Sequence, residues 1–235
     1  MHHVLAVSNS PLHKLDNYSG LRHGWPRLPL PADPDVLAAS AELGLEVARL
    51  LDVERSQEGT RESSNRLPRR LGVLESSGAV SLDPQLGGLG IDARWGLLGK
   101  DGVCMPGPGK LVERRYEPEE TSAIEKSAKE QGLTLEQAVQ LLGETTYDVY
   151  LNDVAYWRNL PASVWKYTIG GYQVIKKWLS YREKSILGRD LKPEEARYVT
   201  EMVQQIAALI LLQPKLDENY RRCKDNAFDW SALDT

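Results

Sequence analysis

The sequence predicts an α+β fold in which a small glycine-rich β-subdomain, about residues 71–116, is combined with a mainly helical C-terminal part. Three observations predict it. Short β-type runs separated by glycines crowd into residues 71–116. Outside that stretch, apolar residues recur at three- and four-residue steps in segments that open on Asp-Pro, Pro or Thr. Hydrophobic residues at 41% and charged residues at 26% match ordinary globular chains.

Taken in order, residues 4–30 mix short apolar runs with turns, and the prolines of Trp25-Pro26-Arg27-Leu28-Pro29-Leu30-Pro31 keep their predecessors extended and docked. Asp33-Pro34 opens a helix, Asp33 as cap and Pro34 in the first turn. Its expected buried face is Leu37, Ala41, Gly44, Val47, Ala48 and Leu51. Serines, mixed charges and Gly59 mark residues 54–70 as an exposed linker between an N-terminal segment, 1–53, and a domain over 71–235. Strands are expected over 71–75, 79–82, 91–95 and 111–116, with a glycine- and proline-rich loop over 99–109. Pro118 opens a helix that Gly132 closes, and Thr134 with Gln137 forms a capping box for another that ends at Gly143. A short helix over 161–169 stops at Gly170, and Tyr172 to Lys184 forms the next. Pro193 opens the last helix, with Val199, Met202, Val203, Ile206 and Ile210 on one stripe, ending before Pro214.

Missing patterns exclude most chemistries. Gly107-Pro108-Gly109-Lys110 lacks the earlier glycine of a phosphate-binding loop, where Cys104 stands, and has Leu111 in place of the Mg²⁺-holding Ser or Thr. Gly87-Gly88-Leu89-Gly90 does not complete a dinucleotide fingerprint. The histidines His2, His3, His13 and His23 lack the spaced partners of a metal or triad site, and His2-His3 reads as an exposed terminus. Two cysteines, Cys104 and Cys223, are too few for a disulfide framework and suit a reducing compartment. The longest apolar run, residues 206–212, is too short to span a bilayer, and no secretory pattern opens the chain, so a cytoplasmic protein without membrane attachment is expected.

Charge is segregated. The net charge is −4, yet residues 156–189 hold seven basic residues (Arg158, Lys166, Lys176, Lys177, Arg182, Lys184, Arg189) against one acid, Glu183: a net +6 that leaves about −10 elsewhere. Residues 147–181 also hold six tyrosines and three tryptophans. At 100° per residue, Val174, Ile175, Trp178 and Leu179 share one side of a helix, while Gln173, Lys176, Lys177, Ser180 and Lys184 share the other, with Tyr181 at the border. The plain reading is a solvated helix face. The functional reading is a face whose ammonium groups meet phosphates while polar side chains reach base edges, with Gly171 and Tyr172 bringing the helix start to a phosphate. Arg182 falls on the apolar side and needs a structural partner, for which Asp148, Asp153 and Asp190 are available by type. Trp157, Trp165 and Trp178 read as core.

The run from Asp148-Val-Tyr-Leu-Asn-Asp-Val-Ala-Tyr-Trp157 through Asn159-Leu-Pro161 to Gly170-Gly-Tyr-Gln-Val-Ile-Lys-Lys-Trp-Leu179 resembles the C-terminal specificity domain of Type ISP restriction–modification enzymes. Leu187-Gly188-Arg189, Pro193-Glu194-Glu195 and Asn219-Tyr220-Arg221 continue the similarity, as do Trp95-Gly96, Met105-Pro106-Gly107 and Val112-Glu113-Arg114. Upstream, Ala6-Val7, Ser10-Pro11 and the proline-rich run ending at Pro29 resemble the junction between methyltransferase core and recognition domain. Lys192 departs from the pattern, standing where a Thr cap is expected before Pro193. The resemblance implies a module that binds double-stranded DNA sequence-specifically and positions it for adenine N6-methylation carried out by other domains. Those domains would use S-adenosylmethionine and Mg-ATP; this chain is expected to hold no cofactor and no catalytic residue. It would work with a separately encoded methyltransferase or translocase, or be a remnant of a longer gene. The alternative is an interaction module that docks on such a partner without touching DNA.

Overall fold

The computed structural model describes residues 1–24, 27–52, 67–77, 88–100 and 102–229, and the chain is α+β. It divides into two units, Met1–Ser64 with Leu211–Thr235, and Asn65–Ile210.

In the first unit, three short helices, α1 (His2–Asn9), α2 (Pro11–Asp16) and α3 (Tyr18–His23), precede α4 (Pro34–Leu51). Asp33 caps α4 by accepting a hydrogen bond from the Asp35 N–H at 2.8 Å. The buried face of α4 is Val36, Ser40, Gly44 and Val47, rotated from the expected stripe so that Leu51 stays exposed. Gly44 explains the rotation, because the α1 backbone crosses there: a Cβ at that position would overlap the His2 carbonyl. His3 is therefore not an exposed terminus. It is buried, with Nδ1 2.8 Å from Ser40 Oγ and Nε2 3.0 Å from the Pro29 carbonyl oxygen. The C-terminal residues complete this unit: Asp217 accepts from Ser10 Oγ at 2.6 Å, Lys224 pairs with Asp16 at 2.8 Å, and Leu211, Leu212, Leu216, Tyr220 and Cys223 are buried.

The second unit is built on a four-stranded antiparallel sheet. Its strands are β1 (Val73–Ser76), β4 (Leu111–Arg115), β5 (Thr145–Tyr150) and β6 (Ala155–Pro161), in the order β1-β6-β5-β4. The central strands β5 and β6 lie beyond the predicted β region, inside the aromatic block. Burial alternates at the start of β6, with Ala155 and Trp157 inward, whereas β5 buries Thr146 and Val149, three apart across a register shift between Tyr147 and Val149. Helices α5 (Pro118–Glu130) and α6 (Leu135–Leu142) connect β4 to β5, and the Thr134–Gln137 capping box forms as expected. The proposed strand over 79–82 lies outside the described residues.

Residues 91–95 do not form a strand. Arg94 has φ +65°, and the N–H groups of Arg94, Trp95 and Gly96 donate to the Glu183 carboxylate instead of to a neighbouring strand. The strand begins one residue later, as β2 (Gly96–Leu98), and pairs with β3 (Cys104–Pro106) inside what was expected to be a loop. The Gly-Pro-Gly motif is structural. A Cβ on Gly107 would overlap the Arg94 carbonyl, and one on Gly109 would enter the Trp95 ring. The last helix, α10 (Pro193–Asp225), runs through Pro214 instead of stopping before it. Leu211, Leu212 and Leu216 are buried around that proline, and burial of this kind offsets the hydrogen bond a proline forfeits.

Candidate nucleic-acid interface

Beyond β6 the chain forms one turn of helix, α7 (Ala162–Trp165), then a hairpin of β7 (Thr168–Ile169) and β8 (Tyr172–Gln173), and then α8 (Val174–Ser180). Trp165 is buried edge-on to Trp95 with ring centroids 5.3 Å apart. Gly170 is not a helix stop. With Gly171 it makes the two-residue hairpin turn, at φ +58° and +84°, which is the left-handed pair that matches the twist of antiparallel strands. Helix α8 buries Ile175, Leu179 and Ser180.

The predicted helical ridge from Tyr172 to Lys184 is broken into pieces. α8 ends at Ser180, and Glu183 turns inward, 5% exposed, to collect the three N–H groups of residues 94–96. A carboxylate with three donors is worth far more inside than on a solvated face. That inward turn puts Lys184 at the start of a separate four-residue helix, α9 (Lys184–Leu187). There Lys184 Nζ pairs with Asp190 at 2.8 Å. Ser180 is fully buried, its hydroxyl donating to the Lys177 carbonyl at 2.8 Å, so it does not join the exposed face. Gln173 turns its amide toward the Trp165 carbonyl, 3.3 Å from Nε2.

Tyr172, Lys177 and Tyr181 remain together, Lys176 precedes Lys177 on α8 and is partly exposed, and Gly171 is exposed beside Tyr172 at the hairpin turn. Lys177 Nζ lies 5.0 Å from the Tyr172 ring centroid and 4.6 Å from that of Tyr181. Both rings are largely open, at 61% and 46% exposure, so they hold the ammonium in place without covering it. Burial and pairing of the other basic residues sharpen the contrast. Arg158 is bound by Glu75, Glu117 and Glu120, and Arg189 by Glu195. Arg182 stacks on Trp178, 3.9 Å from the ring centroid, with its nearest carboxylate Glu195 at 3.9 Å. Its partner is thus none of the three aspartates expected: Asp148 binds Arg114, Asp153 binds Lys110 and Asp190 binds Lys184. Among the described residues, Lys166, Lys176 and Lys177 are the cations of the basic segment with no carboxylate within ion-pair distance. Trp157 and Trp165 are core as expected, whereas Trp178 is half-buried between Arg182 and Tyr198.

Two features escaped the sequence reading. Glu183 looks like a stray acid in a basic run, and only its three distant partners reveal its role. The β2–β3 hairpin was read as loop, yet it carries four exposed apolar side chains: Leu97, Leu98, Val103 and Met105. A usable signal existed, since a ribbon with apolar residues on both faces cannot bury both. A cavity of about 500 Å³ lined by residues of the 67–70 turn and α5 holds none of the predicted residues.

A family model described as the Type ISP C-terminal specificity domain matches residues 1–207. No curated protein and no solved structure matches the chain.

Proposed function

The chain belongs to the Type ISP C-terminal specificity domain family, whose kind of role is DNA target recognition in restriction–modification, and from that premise we propose that it grips duplex DNA through Lys176 and Lys177, with Tyr172 and Tyr181 supporting Lys177. The reading rests on one observation: these adjacent lysines lack carboxylate partners among the described residues, while most of the surrounding basic residues are matched by acids. An ammonium held by two ring faces loses less freedom when it meets a phosphate than a lysine free to rotate. Lys166 is a third unmatched cation in the same unit. Lys184 takes no part while it stays with Asp190. The chain supplies placement of the target, and adenine N6-methylation belongs to other domains that use S-adenosylmethionine. Those domains, on this chain's own polypeptide or a separate one, are its partners beside DNA.

The test is a titration of duplex DNA at several salt concentrations. Each phosphate neutralised adds about −0.9 to the slope of log affinity against log salt. Replacing Lys176 and Lys177 with alanine should flatten the slope by about two units, and an unchanged slope removes them from the interface.

A further inference from the structure

Holding phosphates does not read sequence. Ser180 is buried and Gln173 faces the Trp165 carbonyl, so the base-reading set expected on α8 is largely withdrawn from solvent. Another element of the same unit is exposed beside it. The β2–β3 hairpin pairs Leu97 with Met105 and Leu98 with Cys104; its root packs on the end of α8 through Gly96 and Cys104, while Leu97, Leu98, Val103 and Met105 stay 41%, 57%, 60% and 56% exposed among the described residues. We infer that this hairpin enters the major groove as a two-stranded ribbon and reads thymine methyl groups with those four apolar side chains. The inference rests on the DNA-binding reading above.

Dimensions choose the groove. Strands about 4.8 Å apart with side chains on both faces do not fit a minor groove about 6 Å wide, whereas the major groove, about 12 Å wide and 8.5 Å deep, admits such a ribbon. Three residues at about 3.4 Å each give a length near 10 Å, enough to reach the groove floor. Chemistry chooses the base. Aliphatic groups have no hydrogen bonds to offer, and the thymine C5-methyl is the apolar feature on a major-groove base edge.

The hairpin is also anchored as a reading element must be. Its root is fixed by the Glu183 carboxylate and by the Gly107 N–H, which donates to the Trp95 carbonyl at 2.6 Å. Cys104 Sγ lies 3.1 Å from the Ser180 carbonyl oxygen at the end of α8, and Gly96 packs so closely on that carbonyl that a Cβ would overlap it. This joins the apolar ribbon to the helix of Lys176 and Lys177. Unmatched cations beside uncovered aliphatic groups complement a polyanion with apolar groups in its groove. That charge is the reason to favour DNA over a protein partner.

The experiment uses the full chain and duplexes it selects from a library randomised over about 20 base pairs, remade with deoxyuridine in place of thymidine. This removes only the C5-methyl and leaves the phosphates unchanged. Wild-type binding should weaken about fourfold for each methyl lost from the contact, by the value of one buried methyl. The variant Leu98→Ser/Val103→Ser should lose that discrimination while keeping the wild-type salt slope. Equal binding of both duplexes by the wild type, which needs no variant to fold, would overturn the inference and leave the lysine reading to its own slope test. Hairpin variants that bind DNA normally but no longer bind a Type ISP enzyme lacking its specificity domain would also overturn it, in favour of a protein-docking ribbon.

Discussion

At the scale of single residues, Glu183 organises more of the site than any lysine does. Its carboxylate draws three backbone N–H groups of residues 94–96 around itself, at 2.9, 2.8 and 3.3 Å, and in doing so ends one helix, starts another and fixes the root of the hairpin. Glu183→Ala would leave these donors without an acceptor, which should cost about 3–5 kcal/mol of stability in urea unfolding. A loss near zero would mean that water replaces the carboxylate and that the hairpin root is not fixed by it. Sequence could not show this role, because helical periodicity assigns Glu183 a face from its neighbours alone, while its partners lie 87–89 positions away. The same limit applied to Arg182, whose need for a partner was legible although the identity of Glu195 was not. Gly109 shows the reverse case. Its motif looked like a fragment of a nucleotide loop, and its actual requirement is room for the Trp95 ring.

Among elements, helix starts are the most legible in the sequence, because caps are local signals, whereas helix ends and buried faces depend on distant packing. Asp33-Pro34, Pro118 and the Thr134–Gln137 box all start helices where expected. The central strands β5 and β6 are hidden in the sequence because a register shift between Tyr147 and Val149 breaks the alternation of β5 and β6 buries Asn159, Leu160 and Pro161 in a row. Helix α10 begins without the Thr cap its pattern suggests. Glu195 compensates by accepting from the Lys192 N–H at 2.8 Å and from Arg189. The Arg189 guanidinium, chief among its partners, holds the Glu195 carboxyl at about 2, against an ordinary value of 4.5. Because the folded value is the lower one, this contribution is complete above pH 4.5 and is lost as pH falls towards 2. Urea midpoints measured between pH 5 and 2.5 should therefore fall less steeply for Glu195→Gln than for the wild type. Parallel curves would show that the helix start does not depend on this carboxylate.

For the molecule as a whole, the segregated charge seen in the sequence is largely cancelled by folding. Arg158, Arg182, Lys184 and Arg189 meet acids from outside the basic segment, and the net +6 read along the chain leaves Lys166, Lys176 and Lys177 without a carboxylate partner among the described residues. If Lys166, Lys176 and Lys177 each hold one phosphate, the wild-type salt slope should be about −2 to −3. A slope of about −3.6 would fit Lys184 abandoning Asp190 on binding to hold a fourth phosphate, which a Lys184→Ala variant would reveal by flattening it by about 0.9. The family was legible from the run 148–179 because its motifs are contiguous, whereas the surface that would use them depends on pairings between distant segments.

The first unit is assembled from two separate stretches of chain, Met1–Ser64 and Leu211–Thr235. Ser10, Asp16 and Asn17 around α2 meet Asp217, Tyr220 and Lys224, so on the ribosome α2 waits about 200 residues for these partners. Helix α1 already has α4 to pack on, whereas a chain stopped before Asp217 would leave Ser10 and Asp16 without the partners that tie α2 down.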